Sequence, residues 1–174
     1  ILALKGDDGQ VRVWSAGCAS GEEAYTLALL LAEALGLDAF RQRAKIYATD
    51  VDEDALARAR LALFSAKQLE PVPEQLRTRY FLQTGAEEYT LHNDLRRAVI
   101  FGRHDLVRDA PMSRIDLLLC RNTLMYFNAE TQQRVITRLH FALADQGYLV
   151  LGQAEMLLNR NEMFDAVEMK HRVF

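Results

Sequence analysis

The chain has 174 residues, a length that suits one domain with a sizeable core. Half of the residues are hydrophobic, 26% are charged and the net charge is −3, the composition of a globular protein without the basic excess that grips nucleic acid. Two cysteines, Cys18 and Cys120, are too few for a disulfide framework and show no metal-ligand spacing, so a reducing cytoplasm fits best. No apolar run approaches the roughly 20 residues that cross a bilayer, and membrane insertion is not expected.

The opening Ile1-Leu2-Ala3-Leu4-Lys5 is too short for a signal peptide and has no initiator Met. It reads as cut from something longer on its N-terminal side. Beyond it, short apolar runs alternate with longer amphipathic ones, the pattern of a mostly parallel sheet covered by helices. Val11–Ala16 reads as a buried strand ending at Gly17. Gly21 to Leu35 reads as a helix with Leu27, Leu30, Leu31 and Ala34 on one face and Gly36 at its end. Lys45–Thr49 is a second strand, and Asp52 is placed to cap a helix from Glu53 to about Leu63. Pro71 and Pro73 punctuate a less regular middle. There Glu74–Phe81 reads as a short helix, and Tyr89–Leu91 and Ala98–Phe101 as strands. The first of these strands suits a small antiparallel insertion. Ile115–Cys120 is a buried strand, Ala129–Ala144 a helix carrying Val135, Ile136, Leu139 and Leu143, and Tyr148–Leu151 a strand after the Gln146-Gly147 turn. Phe164–Glu168 and His171–Phe174 read as a closing hairpin.

The strongest local signal is Ser15-Ala16-Gly17-Cys18-Ala19-Ser20-Gly21-Glu22-Glu23, between the first strand and the first helix. A glycine at a strand end permits a sharp turn and close approach of a ligand, and ligands of open α/β sheets sit beyond the carboxyl ends of the strands. The stretch has neither the Gly-Lys-Ser/Thr of a P-loop nor a full G-x-G-x-x-G. Glu22 and Glu23 would repel a pyrophosphate yet suit an ammonium or sulfonium group. Alternatively, they merely complement the helix dipole.

Asp50, at the end of the second strand, can accept from both hydroxyls of a ribose, or it is simply a loop or capping aspartate. It lies 33 positions after Gly17, against roughly 20 in the nicotinamide fingerprint, which leans away from a dehydrogenase. The third signal, Leu119 to Phe127, places Arg121, Asn122 and Tyr126 beyond a buried strand. Tyr126 is either a substrate-positioning group or a core aromatic with a structural hydroxyl. His104-Asp105 reads as structural rather than as an acid–base pair. Cys18 and Cys120 read as packing residues, and Arg41, Arg43, Lys45 and Arg96-Arg97 as solvated surface.

Taken together, Val13–Cys18 with Glu22–Tyr25, Ala48–Asp52, Cys120-Arg121-Asn122 with Tyr126-Phe127, and Gly147-Tyr148-Leu149 resemble, in order, the motifs of CheR-type chemotaxis methyltransferases from about Val11 to Phe174. His104–Pro111 is most similar to versions fused to sensory or kinase modules. The resemblance implies a class I, Rossmann-like α/β fold over residues 1–174. A mostly parallel seven-stranded sheet would end in an antiparallel hairpin, with a small β-subdomain at about 86–99. It also implies S-adenosylmethionine as cofactor, S-adenosylhomocysteine as product, and chemoreceptor glutamates as substrate. By the same resemblance Gly17 and Gly21 would shape the cofactor loop, Glu23 would meet the amino-acid end and Asp50 the ribose. Asp105 and Leu106 would contact adenine, Cys120 and Arg121 would line the pocket, and Tyr126 would position the substrate carboxylate.

The chain departs from the family in four ways. The N-terminal helical domain and its arginine are absent, Asp105 stands in place of Asn, and Gln153-Ala154-Glu155 stands in place of His-Ser-Glu. Nothing in 86–99 marks a grip on a receptor peptide. The readings that follow are an active protein-glutamate methyltransferase, a cofactor-binding but silent signalling module, or methylation of another substrate.

Overall fold

The computed structural model of the protein describes residues 1–6, 8–153 and 163–174. The first helix, α1 (Leu2–Lys5), leads to strand β1 (Val11–Ala16), whose residues are almost all buried, as a central parallel strand covered on both faces requires. Helices α2 (Glu22–Leu35) and α3 (Leu37–Arg43) follow, then β2 (Ala44–Asp50) and α4 (Glu53–Leu61). The Asp52 carboxylate accepts from the backbone N–H of Asp54 at 2.9 Å and of Ala55 at 3.0 Å, so the expected N-cap is present.

Next come β3 (Leu63–Ser65), α5 (Ala66–Leu69), α6 (Glu74–Tyr80), β4 (Phe81–Gln83), β5 (Glu88–Leu91) and α7 (Asn93–Arg96). The chain returns through β6 (Val99–Arg103), β7 (Ile115–Cys120), α8 (Ala129–Ala142) and β8 (Leu143–Leu151). Asn128 caps α8 by accepting from Thr131 N–H at 2.9 Å.

The main sheet has the order β6-β2-β1-β7-β8 with every neighbouring pair parallel. Successive residues of β1 face opposite sides. Val13 joins a cluster with Leu27, Phe40, Ile46 and Leu95, and Trp14 joins another with Leu118, Ile136, Leu139 and Leu149. Truncating a fully buried member such as Ile46 or Leu118 to Ala costs about 2–5 kcal/mol. At the amino end of β7 the buried Asp116 carboxylate pairs with Lys5 Nζ at 2.7 Å and accepts from Arg12 N–H at 2.8 Å, fastening α1 beneath the sheet. Among the described residues no helix is long and apolar enough to cross a membrane.

Two expectations need correction. Among the described residues the main sheet has five strands, not seven, and its closing hairpin is reduced to single bridges. Val173 lies antiparallel to Glu168 and to Val150, while Leu149 and Phe174 exchange two 2.9 Å backbone hydrogen bonds. Met169–His171 is a 3-10 turn followed by Arg172 in the left-handed region (φ 52°), which leaves no room for a longer ladder.

The small antiparallel sheet, β3-β5-β4, has only its central strand, Glu88–Leu91, within 86–99. It recruits residues 63–65 and 81–83, pairing Phe64 with Tyr89 and Leu82 with Thr90. Asn93–Arg96 is helical and Val99–Arg103 belongs to the main sheet. The Ala154-Glu155 part of the strand-end motif lies outside the described residues.

Candidate active site

A cleft of about 1020 Å³ opens beyond the carboxyl ends of β1, β2, β6 and β7, where open α/β sheets hold ligands. Its base is the turn after β1. Gly17 N–H and Cys18 N–H both donate to the Thr49 carbonyl, at 2.8 and 2.9 Å, which folds the loop back over β2. Gly17 has φ +77°, and a Cβ there would stand 2.1 Å from Thr123 Oγ1. Gly21 has φ +90°, and its missing Cβ is opposed by Ala59 and the Phe101 ring at 3.0 Å. The space denied to side chains at both glycines is therefore filled by protein. Gly17 lines the cleft, whereas Gly21 faces α4 and β6 behind it.

Asp50 closes the loop from the β2 side. Its Oδ2 accepts from Ala19 N–H at 2.8 Å and its Oδ1 from Asp52 N–H at 3.0 Å. Ala19 has φ 45°, a strained conformation for a residue with a Cβ, and the bond from Asp50 holds it there. A carboxylate has about four lone-pair sites; two are used, which leaves acceptor capacity on a residue that lines the cleft.

Glu23, in the first turn of α2, accepts from Ser15 Oγ at 2.7 Å and pairs with Arg121 Nη1 at 3.2 Å. Ser15 is completely buried, so its hydroxyl fixes one carboxylate oxygen while Arg121 meets the other. The wall opposite is the segment after β6. Asp105 Oδ1 accepts from Val107 N–H at 2.8 Å and Arg108 N–H at 3.2 Å, and Asp105 N–H donates to Asp109 Oδ2 at 2.8 Å. The last bond, first among its influences, holds the Asp109 carboxyl below its usual range. Arg138 reaches from α8 to the carbonyls of Val107 and Asp109 and braces this wall. Beneath it the Trp14 ring meets the His104 ring edge-on at 5.3 Å, His104 Nε2 lies 3.0 Å from the Ala110 carbonyl, and Trp14 Nε1–H donates to Thr49 Oγ1 at 2.9 Å.

Of the residues singled out from sequence, Gly17, Glu23, Asp50, Asp105, Leu106, Arg121 and Tyr126 all line the cleft. Gly21 and Cys120 do not: Cys120 is fully buried in the core at the end of β7. Tyr126 is 81% exposed at the cleft rim, so it is no core aromatic. Cys18 lines the cleft as a neutral thiol, because burial first, and then the nearby Asp50 charge, push its pKa up to about 12.

Ser15, Ala19 and Thr123 also build the site, although their residue types alone point to no role there. Their signal was present in part, since Ser15 and Ala19 sit inside the glycine-bearing loop motif and Thr123 inside the Cys120–Phe127 motif. The lining suits S-adenosylmethionine. Glu23 and Arg121 are opposite charges for an amino-acid zwitterion, Asp50 keeps acceptor capacity for a ribose, and Leu106, Val107 and Phe127 supply apolar wall for a base. The volume lies at the upper end for small-molecule sites.

A parallel sheet with this strand order, a loop gripped by the β2 carboxylate and a cleft above them define a class I, Rossmann-like methyltransferase fold. A crystallised carbon methyltransferase, DszA, overlays with a TM-score of 0.53 at 14% identity, covering 84% of this chain and 29% of that one. Within that class, the chain belongs to the CheR methyltransferase family: the family's S-adenosylmethionine-binding domain matches residues 2–173. It is 39% identical over its whole length to an uncharacterized 104.1 kDa protein of Rhodobacter capsulatus, encoded in the hypE 3′ region, of which it spans 18%. It is 36% identical over 156 residues to a chemotaxis protein methyltransferase of Listeria innocua, covering 90% of this chain and 58% of that protein.

Proposed function

We propose that the protein transfers the methyl group of S-adenosylmethionine to glutamate side-chain carboxylates of chemoreceptors, and that residues 1–174 form its cofactor-binding domain with the three-stranded sheet as an insertion. The observation that carries the reading is the Glu23–Arg121 pair, 3.2 Å apart beside Asp50, in a chain that belongs to the CheR family. Glu23 holds the cofactor's ammonium group and Arg121 its carboxylate. Asp50 takes the ribose hydroxyls, and Asp105 and Leu106 border the adenine. The relatives named chemotaxis protein methyltransferase support the substrate, and the size of the Rhodobacter relative supports a larger signalling protein around the domain. A reducing cytoplasm suits a chain with only two cysteines, Cys18 and Cys120.

When bound, the cofactor supplies an electrophilic sulfonium methyl group. A glutamate carboxylate is ionised near neutrality, its unperturbed pKa being about 4.3, so the chain need not remove a proton. Its task is alignment. Tyr126, at the rim, would offer its hydroxyl to the incoming carboxylate and so orient it toward the cofactor. Transfer of that methyl group to the carboxylate would leave a methyl ester on the substrate and a neutral thioether in the cofactor.

The test is incubation of the full-length protein with methyl-labelled S-adenosylmethionine and receptor cytoplasmic domains. Label in the receptor that is released as methanol by mild base reports a carboxylate ester. Label that resists base, or no transfer to any receptor, would overturn the proposal.

A further inference from the structure

Arg96-Arg97, which reads from sequence as solvated surface, is part of a built groove. A depression of about 380 Å³ lies on the flank of the main sheet, floored by Tyr25 and Phe101 and ringed by Arg60, Arg96, Arg97 and Asn93. Three guanidinium groups thus converge from the ends of α4 and α7, more than thirty residues apart in sequence. Arg96 Nη2 donates to the Arg60 carbonyl at 3.3 Å and Arg60 Nη2 to the Phe101 carbonyl at 3.4 Å, which fixes the two ends against the edge strand β6.

The charges are left largely uncompensated. Asp94, three residues before Arg97, is taken by Arg41 at 2.6 Å, and this bond above all, with the Arg97 charge a lesser influence, holds its carboxyl below the usual range. Glu53 approaches Arg60 only to 4.0 Å. Among the described residues neither Arg96 nor Arg97 forms an ion pair with a carboxylate. In a chain of net charge −3 this is a local field of opposite sign.

We infer that this groove is a second docking site, separate from the cleft, for an acidic segment of the protein substrate. Charge complementarity identifies the occupant. Guanidinium forks match carboxylates in pairs, while the Tyr25–Phe101 floor accommodates the aliphatic stems and apolar neighbours that a polypeptide brings and a bare anion does not. The groove lies beside the outer edge of the sheet, where Ile100 is 49% exposed, an edge that suits an elongated ligand. Val99 borders the groove and Arg103 the cleft, at opposite ends of β6. Four residue-to-residue steps along the strand separate them by about 13 Å, a span that a short acidic stretch beside a methylated glutamate covers. The identity of the partner as substrate rests on the methyl-transfer reading; the acidic-polypeptide chemistry does not.

The experiment uses the full-length protein and a fluorescein-labelled peptide of repeated Glu-Ala-Ala-Glu units, followed by anisotropy, beside calorimetric titration with S-adenosylhomocysteine. Arg96→Gln with Arg97→Gln is expected to weaken peptide binding by about tenfold and leave S-adenosylhomocysteine affinity unchanged. Arg97→Gln alone, which breaks no internal hydrogen bond, is expected to show part of the loss. With receptor as substrate, the double variant raises KM without changing kcat.

Unchanged KM and peptide affinity in a folded double variant would overturn the docking site while leaving methyl transfer standing. Arginine-dependent peptide binding by a protein that methylates no receptor would do the reverse. Absence of peptide binding by the unaltered full-length protein, as when another part of the same chain covers the groove, overturns the site. So does binding of inorganic pyrophosphate that is tighter than the peptide's and equally sensitive to the two substitutions.

Discussion

Thr123 occupies the space in which a side chain on Gly17 would stand, with its Oγ1 2.1 Å from the position of a Gly17 Cβ. The turn after β1 and the turn after β7 are thereby locked together at the base of the cleft. Thr123 Oγ1 itself donates to the Arg121 carbonyl at 3.1 Å, so the contact also bears on the turn that carries Arg121.

Gly17→Ala should therefore destabilise the fold by about 1–3 kcal/mol from backbone strain alone, with the collision added. Urea denaturation measures the sum. Adding Thr123→Gly should recover the steric part and leave the strain at φ +77°. Equal stability of the single and double variants would show that the collision is relieved in some other way.

Asp50→Ala removes the acceptor for Ala19 N–H and for the ribose together. The expected loss of S-adenosylhomocysteine affinity is at least about 1 kcal/mol, read by calorimetry on protein whose circular dichroism is unchanged. An affinity equal to that of the parent protein would remove Asp50 from the ribose site.

Glu23→Gln tests the amino-acid end alone. The charged hydrogen bond it removes is worth about 1.5–3 kcal/mol, so S-adenosylhomocysteine should bind correspondingly more weakly. Methylthioadenosine, which has no amino-acid group, should bind the variant and the parent equally. A parallel loss for both ligands would mean that Glu23 shapes the loop through Ser15 rather than contacting the ligand.

Tyr126→Phe should leave stability within about 0.5 kcal/mol, because a side chain 81% exposed has no packing to lose. S-adenosylhomocysteine affinity should also hold, while kcat for receptor methylation falls. A large drop in melting temperature would contradict its rim position, and unchanged kcat would remove it from the substrate site.

Cys18 and Tyr25 give the pH dependence. Burial raises each to about 12, against roughly 8.5 and 10 in an unfolded chain. Both groups lose their protons more readily when unfolded, so the stability they contribute is complete below about pH 8.5. It is lost progressively as pH rises toward 12. Denaturation midpoints across that window should fall, less steeply in Cys18→Ala, and iodoacetamide should modify Cys18 far more slowly than a free thiol at pH 8. Rapid modification of the folded protein would contradict the burial of the thiol.

The strands of the main sheet were legible because short, largely apolar runs such as Ile115–Cys120, interrupted only by Asp116, leave few alternatives, and Asp52 was legible because its capping chemistry is local. The small sheet was not. Leu63–Ser65 and Phe81–Gln83 are three residues long, Leu63 and Leu82 are exposed, and each finds its partner only in β5. Leu63 and Phe81 therefore read as the last residues of the preceding helices. Helix α3 was missed because Gly36 ends α2 and begins α3 with no intervening loop. At the site, Glu23 and Arg121 could each be named from their motifs. Their contact, across 98 positions, depends on β1 and β7 lying side by side, which no local pattern encodes.

The placement of Trp14 gives this domain an optical handle. It is the only tryptophan in the chain, its indole is hydrogen-bonded to the threonine whose carbonyl anchors the Gly17–Cys18 turn, and its ring abuts the imidazole under the opposite wall. Excitation at the red edge of protein absorbance therefore interrogates both sides of the cleft from below. Ligand entry and loop rearrangement both register in one emission band, without a label and without a second fluorophore of its kind to subtract.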